Sequence, residues 1–213
     1  MRRWSHEQTN MVYPRSVRMS DSHGQRAIKH RLDAPKDILQ QIWKELGRAS
    51  VDRHHAWRTP VLATVDCDGS PNARTVVLRD ADMGQQTLCI YTDARSDKVG
   101  ELTKSPMAVF AFWSARLNWQ LRVRVTISVT TDGPEVHALW QRIRQSAAAA
   151  DYLALVAPGT ERPDAYSSAE TAGGAHHFAL LNARILEMDW LELGHGGHRR
   201  ARIRAGTWQW LTP

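Results

Sequence analysis

Cysteine is scarce in this chain, and long apolar runs are missing. Two cysteines among 213 residues, Cys67 and Cys89, cannot build a disulfide framework. A reducing, cytoplasmic setting is the simplest expectation. No apolar stretch approaches the ~20 residues of a membrane-spanning helix, so no membrane partner is expected. Residues 1–33 are basic but lack the apolar core of a secretory signal; they read as a flexible arm, with an organelle transit peptide as the alternative. Heptads and internal repeats are absent. So are a recognition helix, a zinc module and an RNP-type aromatic strand, and nucleic acid is therefore not expected as a partner. "GHGGHRR" places two histidines in a glycine-rich loop, with His176 and His177 the nearest further candidates. No carboxylate or cysteine cluster completes the three or four ligands of a metal site, so no metal is expected.

What is present is a single domain's worth of apolar residues and an excess of positive charge. Hydrophobic residues make up 42% of the chain, enough for one core over residues 34–213. The formal net charge of +6 points to an anionic partner without choosing one. Nine tryptophans are unusual, and Trp113, Trp119, Trp190, Trp208 and Trp210 fall in or beside predicted strands.

The first folded element is predicted to be a helix in "DAPKDILQQIWKELGRAS". Asp33 is its candidate N-cap, Pro35 follows, and Gly47 supplies a stop. From residue 60 the pattern turns to strands. "PVLATVD" and "NARTVVLRD" form a hairpin across an Asp-Gly turn, and "TLCIYTD" follows. "SDKVGELTKS" is predicted helical with Ser96 as cap. "MAVFAFW" and "NWQLRVRVTISVT" are strands joined by "SARL". The stretch "PEVHALWQRIRQSAAAADYLAL" reads as a helix, and 157–175 as a long loop. "HHFALLNARILEMDWLEL" and "RRARIRAGTWQWLTP" close the chain as strands. Six or more antiparallel strands in one domain favour a closed or nearly closed barrel, which removes exposed edges.

Residues 71–80, "PNARTVVLRD", are an odd strand. Alternation puts Arg74, Val76 and Leu78 on one face and Thr75, Val77 and Arg79 on the other, so each face carries a permanent cation. Its hairpin leads to "IYTDARSDKVGEL". There Ser96 and Lys98 sit at a predicted helix start, where free N–H groups and the dipole suit a phosphate. Read locally, this is equally a capped surface helix with a solvated lysine.

Together, "LATVDCDGSPNARTVVLRD", "IYTDARSDKVGEL", "NWQLRVRV" and "GHRRARIRAGTWQWLTP" resemble, in order and spacing, the pyridoxamine 5'-phosphate oxidase-like family of FMN-binding split barrels. The resemblance implies a mainly β (α+β) fold, an antiparallel split β-barrel with flanking helices. It also implies FMN as cofactor, a homodimer, and a small-molecule substrate. Arg74, Thr75, Val76, Val77, Leu78 and Arg79 match the strand that runs under the flavin. Tyr91 and Thr92 match the Tyr-Thr pair beside the cofactor. Ser96 and Lys98 match the turn that grips the FMN phosphate, with Asp97 at an arginine position. Gln120 matches a glutamine that reaches the flavin ring across the dimer interface. Arg202 matches the last flavin-contacting arginine, and Trp190 or Leu191 the tryptophan before it.

The substrate side departs from the family. His198 and Arg200 stand in swapped order where the family has Arg-x-His. The helix expected to meet the substrate phosphate offers Arg142 or Arg144 and then a run of alanines. The resemblance therefore implies an FMN-dependent oxidoreductase with a substrate other than pyridoxamine or pyridoxine phosphate. Its catalytic residues are unassigned. A non-enzymatic flavin- or haem-binding protein is the alternative.

Overall fold

The structure, a computed structural model, describes residues 32–161, 175–194 and 196–213. The basic arm and most of the long loop after residue 157 lie outside the described residues.

Helix α1 (Pro35–Val51) forms where Ile38, Ile42 and Leu46 recur on one side, and that side is fully buried. Two local expectations shift. Ala34, not Asp33, is the N-cap; the Asp33 carboxylate instead meets Arg199 at 3.0 Å. The helix also runs past Gly47, where solvent-side backbone tolerates a glycine, and it ends at Val51. There Arg58 donates to the carbonyls of Ala49 and Ser50 and so satisfies the helix end.

Among the described residues nine strands follow. They are β1 (Val61–Val65), β2 (Pro71–Thr75), β3 (Leu78–Asp82), β4 (Thr87–Asp93), β5 (Met107–Ser114), β6 (Trp119–Thr130), β7 (Phe178–Glu192), β8 (Arg199–Arg204) and β9 (Thr207–Leu211). Helices α2 (Asp97–Lys104), α3 (Pro134–Ile143) and α4 (Ala150–Leu153) are inserted between them. All pairings are antiparallel, in the order β2-β1-β5-β6-β7-β4-β3, with the β8–β9 hairpin attached to β7.

Strand β7 is where the barrel splits. One edge carries β6 along most of its length; the other carries β4 on its first half and β8 on its second. The ladder does not close, because β2 and β3 end it without pairing to each other. The mainly antiparallel split-barrel class is as expected, but a fully closed barrel is not formed.

The segment expected to be one strand is in fact β2 and β3, broken at Val76–Val77. Val76 and Leu78 donate their N–H groups to the carbonyls of Pro60 and Arg58, not to a sheet neighbour. The chain thus crosses from one end of the ladder to the other in two residues. Alternation survives the break: Val76 and Leu78 are buried, while Thr75 is exposed and Val77 and Arg79 are half-buried.

The expected helix over 134–155 is also broken, into α3, a 3-10 turn at Ala147–Ala149, and α4. Gly69, at φ 96°, makes the β1–β2 turn that the Asp-Gly pair predicted. The core lies between the inner sheet face, with Leu62, Phe110, Leu121 and Val123 fully buried, and helix α1. Among the described residues no helix is long and apolar enough to cross a membrane.

Candidate functional site

The expected site residues fall into separate groups around the sheet. The first is a corner where β2, β4 and α2 meet. Ser96 is the N-cap residue of α2, but its hydroxyl does not cap the helix. Instead it donates to the Asp93 carbonyl at 2.7 Å and sits 3.2 Å from the Thr92 hydroxyl. The Lys98 ammonium donates to Thr92 Oγ1 at 3.1 Å, its one hydrogen-bond acceptor among the described residues. Burial holds the Lys98 pKa below its ordinary value, and the Arg74 guanidinium nearby pushes the same way. A half-buried ammonium with unused donors thus stands beside a second cation and a helix N-terminus, with the carboxylates of Asp97, Glu101 and Asp93 also near it.

Arg74 is held there by a residue that the sequence did not advertise. Glu101 on α2 is buried and receives Arg74 at 2.8 and 3.0 Å. Thr64 and Asn72 donate to the same carboxylate at 2.6 and 2.8 Å. Burial alone would raise the Glu101 carboxyl; its four hydrogen bonds outweigh that and hold it low. A second unforeseen clamp is Asp93–Arg95. Arg95 donates twice to Asp93, at 3.1 and 2.7 Å, and to the carbonyls of Ala154 and Leu155. It therefore ties the end of α4 to the turn before α2 and is not free to replace the arginine missing at Asp97.

The second group is Arg79 and Tyr91, on the opposite face of β4 from Thr92. The Arg79 guanidinium lies 5.4 Å from the Tyr91 ring centroid, and its buried Nε has no partner. Both line a cavity of about 530 Å³ under α3, together with Cys89 and Arg142. Arg142 lines this cavity and Arg144 does not; both are exposed, and Arg144 donates to the Gln141 side chain.

The third group lies on the outer face of the sheet. Register places Thr75 beside Val61, Trp113 beside Gln120, Gln120 beside Leu191, and Leu191 beside Arg200. Arg200 is bidentate on Asp189, at 3.0 and 2.8 Å, and Arg202 is 3.7 Å from Glu187. His198 is exposed, and its Nδ1 accepts from the Gly194 N–H. Trp190, one of the two residues expected at the flavin, points the other way from Gln120 and Arg200. It is 0% exposed, edge-on to Trp119 at 5.2 Å. Leu191 is the residue on the same face as Gln120 and Arg200. Val76 and Leu78 are core residues, and Val77 is half-buried.

The fold is an antiparallel split barrel, and the known proteins agree with that architecture. Residues 40–131 match the family described as pyridoxamine 5'-phosphate oxidase, FMN-binding domain. Pyridoxine/pyridoxamine 5'-phosphate oxidase of Myxococcus xanthus is 34% identical over 112 residues, covering 53% of each chain. The enzyme of that name from Acaryochloris marina is 38% identical over 128 residues, covering 58% of this chain and 56% of its own. The match thus spans about half the length of these curated relatives. Among solved structures, a pyridoxamine 5'-phosphate oxidase-related, FMN binding protein of Nostoc punctiforme superposes with TM-score 0.63 at 23% identity, covering 84% of this chain and 98% of its own. PhzG of Burkholderia lata, solved with tetrahydrophenazine-1-carboxylic acid, gives 0.64 at 19%, covering 84% and 92%. At these identities the structural likeness concerns the fold. Over residues 40–131 the chain is thus similar to the FMN-binding domain of the pyridoxamine 5'-phosphate oxidase family, and its fold as a whole is that of the family's split barrels.

Proposed function

We propose that the chain is an FMN-dependent oxidoreductase that works as a homodimer on a small molecule other than pyridoxine or pyridoxamine 5'-phosphate. The observation that carries the FMN reading is the corner at α2. FMN ends in a phosphate with close to two negative charges. Lys98 offers it unused ammonium donors, Ser96 and Thr92 offer hydroxyls, and α2 offers free N–H groups. Arg74, fixed by Glu101, adds field more than a free hand. Bound FMN would supply two-electron chemistry; the protein's part is to hold and tune it. Thr75, on the outer face, would lie along the cofactor.

The outer face also supports the dimer. It presents Val61, Val65, Met107 and Trp113 partly exposed on β1 and β5, with Gln120 directly beside Trp113 on β6 and Arg200 and Arg202 further along on β8. A two-fold mate covering this apolar surface would bring its own Gln120 and Arg202 toward the first chain's cofactor. Titration of apo-protein with FMN, followed by flavin fluorescence, tests the proposal. Saturable one-to-one binding per chain supports it, and a colourless protein that takes up neither FMN nor haem ends it. A sharp Soret band would favour a haem-binding role instead.

A further inference from the structure

Among the described residues three strands have a single neighbour: β2, β3 and β9. An end strand shows a row of unpaired N–H and C=O groups, and folds blunt such an edge with charge, proline or a covering element. β2 begins on Pro71 and carries Arg74. β3 carries Arg79, Asp80 and Asp82, and α1 packs on it. β9 reads Thr207-Trp208-Gln209-Trp210-Leu211, with no charge and no proline, and its pairing with β8 runs without a bulge. Trp210 is 47% exposed.

The hairpin with β8 fixes which backbone groups of β9 are free. Ala205 at φ 48° and Gly206 at φ 76° make a two-residue turn, and such a turn is flanked by a hydrogen-bonded pair, here Arg204 and Thr207. Pairs then alternate along the ladder. Arg202–Gln209 and Arg200–Leu211 exchange hydrogen bonds, while Ile203–Trp208 and Ala201–Trp210 do not. The N–H and C=O groups of Trp208 and Trp210 therefore point away from β8, to the open edge, where no described strand meets them. The centre of the strand, Trp-Gln-Trp, also reads the same in both directions. Set two β9 strands antiparallel with Gln209 opposite Gln209, and Trp208 falls opposite the second copy's Trp210, and Trp210 opposite its Trp208. Those are the residues whose backbone groups are free, so both become hydrogen-bonded pairs. All four indoles then share one face, on which Trp208 and Trp210 of one chain already meet at 5.3 Å. The nearest arginines stand one strand in, on β8. The two copies of Arg202 would be three strand spacings apart, roughly 14 Å, beyond the ~8 Å screening length at physiological salt.

We propose that β9 is a pairing edge for a second copy of this chain: two β9 strands join antiparallel about a two-fold axis between their Gln209 residues, and the two sheets run on as one. The contact is isologous, each strand offering the same groups that it meets. A foreign extended segment would satisfy the backbone groups, but only a strand with aromatics two residues apart also fills the indole face. The edge is distinct from the outer sheet face proposed above for the mate at the cofactor, and the proposal does not rest on that reading. Five residues a side fall short of the ~1,000 Å² of a stable interface, so the pairing depends on concentration. It doubles whatever unit is present at dilution.

The test is analytical ultracentrifugation of the full chain as purified, from about 5 µM to about 500 µM. The mass should climb from that of the dilute unit toward twice that value, and amide exchange at Trp208 and Trp210 should slow over the same range. Gln209 is exposed, and like charges directly opposite each other destabilise a strand pair. Gln209→Lys and Gln209→Glu should therefore each weaken the association by roughly fivefold or more. An equimolar mixture of the two should recover it, because lysine then faces glutamate. A general loss of fold in either variant would not be cured by mixing, so the rescue isolates the pairing. A mass that stays constant to the highest concentration, unchanged exchange at Trp208 and Trp210, single variants that associate like the parent, or a mixture no better than either variant alone would each overturn the proposal. The readout needs no flavin, so a failure here and a failure of the FMN titration are separate results.

Discussion

At the scale of single residues, Lys98 and Glu101 do different jobs in one corner. Lys98 has donors to spare, so Lys98→Ala should weaken FMN binding by ~1.5–3 kcal/mol, as expected when a charge-assisted hydrogen bond is removed. Fluorescence titration of apo-protein measures it, and the fold should hardly notice. Glu101 is buried and four times hydrogen-bonded, so Arg74→Ala should act mainly on stability. Removing one partner of a buried pair costs about 3 kcal/mol, the low end of the usual range because the Arg74 side chain is 20% exposed. Urea unfolding of the two variants would separate the roles; an unmoved midpoint in Arg74→Ala would contradict the assignment. The same carboxylates set an acid limit. Burial alone would raise Glu45, Asp93, Glu101 and Asp189, but their hydrogen bonds and guanidinium neighbours hold all of them below ordinary values. Each folded carboxyl binds fewer protons than its unfolded form. The stability they give is therefore complete above the ordinary Glu value of 4.5 and is lost as pH falls through the lower folded values. A urea midpoint that stays flat from pH 5 down to pH 3 would be inconsistent with this.

At the scale of elements, period and turn chemistry were legible in the sequence, and handovers between neighbours were not. The strand pattern, the Asp-Gly turn and the helix at Ser96 could be read because each is decided by residues close in sequence. The break at Val76–Val77 could not, since alternation continues through it and only the carbonyls of Pro60 and Arg58 make it a crossing. The corner was half legible for the same reason. Ser96 and Lys98 sit in one helical turn, but Glu101 reaches Arg74 across 27 residues and Arg95 reaches Leu155 across 60. Which of Trp190 and Leu191 shares a face with Gln120 turned on strand parity, and the pairing of β7 with β6 and β8 gives that place to Leu191. The Arg95 clamp carries a prediction at this scale. His177 donates its backbone N–H to the Tyr152 carbonyl, and its own carbonyl accepts from the Ala94 N–H, next to the carbonyls that Arg95 holds. Arg95→Ala should loosen this stretch before the sheet. Amide exchange at Ala94 and His177 should quicken by roughly tenfold or more while the β5–β6 amides keep their protection. Uniform change across the chain would mean that Arg95 is not a local clamp.

At the scale of the whole molecule, the question is what a family fold commits this chain to do. The proposed dimer would cover the partly exposed apolar residues of β1 and β5 and is expected to bury more than ~2,000 Å² in total. Light scattering should give twice the 24.1 kDa chain mass, and a monomer loaded with FMN would end the dimer proposal. The family name does not commit it to vitamin B6 chemistry. A pyridoxamine phosphate oxidase must hold two phosphates, one on the cofactor and one on the substrate. On the reading proposed here, the corner at α2 would supply one such site. At the other, Arg142 shares the cavity with Glu135, Asp80 and Asp82, and Arg144, outside it, donates to Gln141. Ala147–Ala149 brings no side-chain donor. Arg200 is already bidentate on Asp189, and His198 lies exposed on its loop. A substrate phosphate short of two or three charge-assisted hydrogen bonds, at ~1.5–3 kcal/mol each, binds more weakly by orders of magnitude. FMN-loaded protein under air should therefore form pyridoxal 5'-phosphate from pyridoxamine or pyridoxine 5'-phosphate only negligibly, as followed by absorbance. Sustained turnover with a micromolar Michaelis constant would mean that Arg79 and Arg142 hold a phosphate dianion despite the three carboxylates beside them.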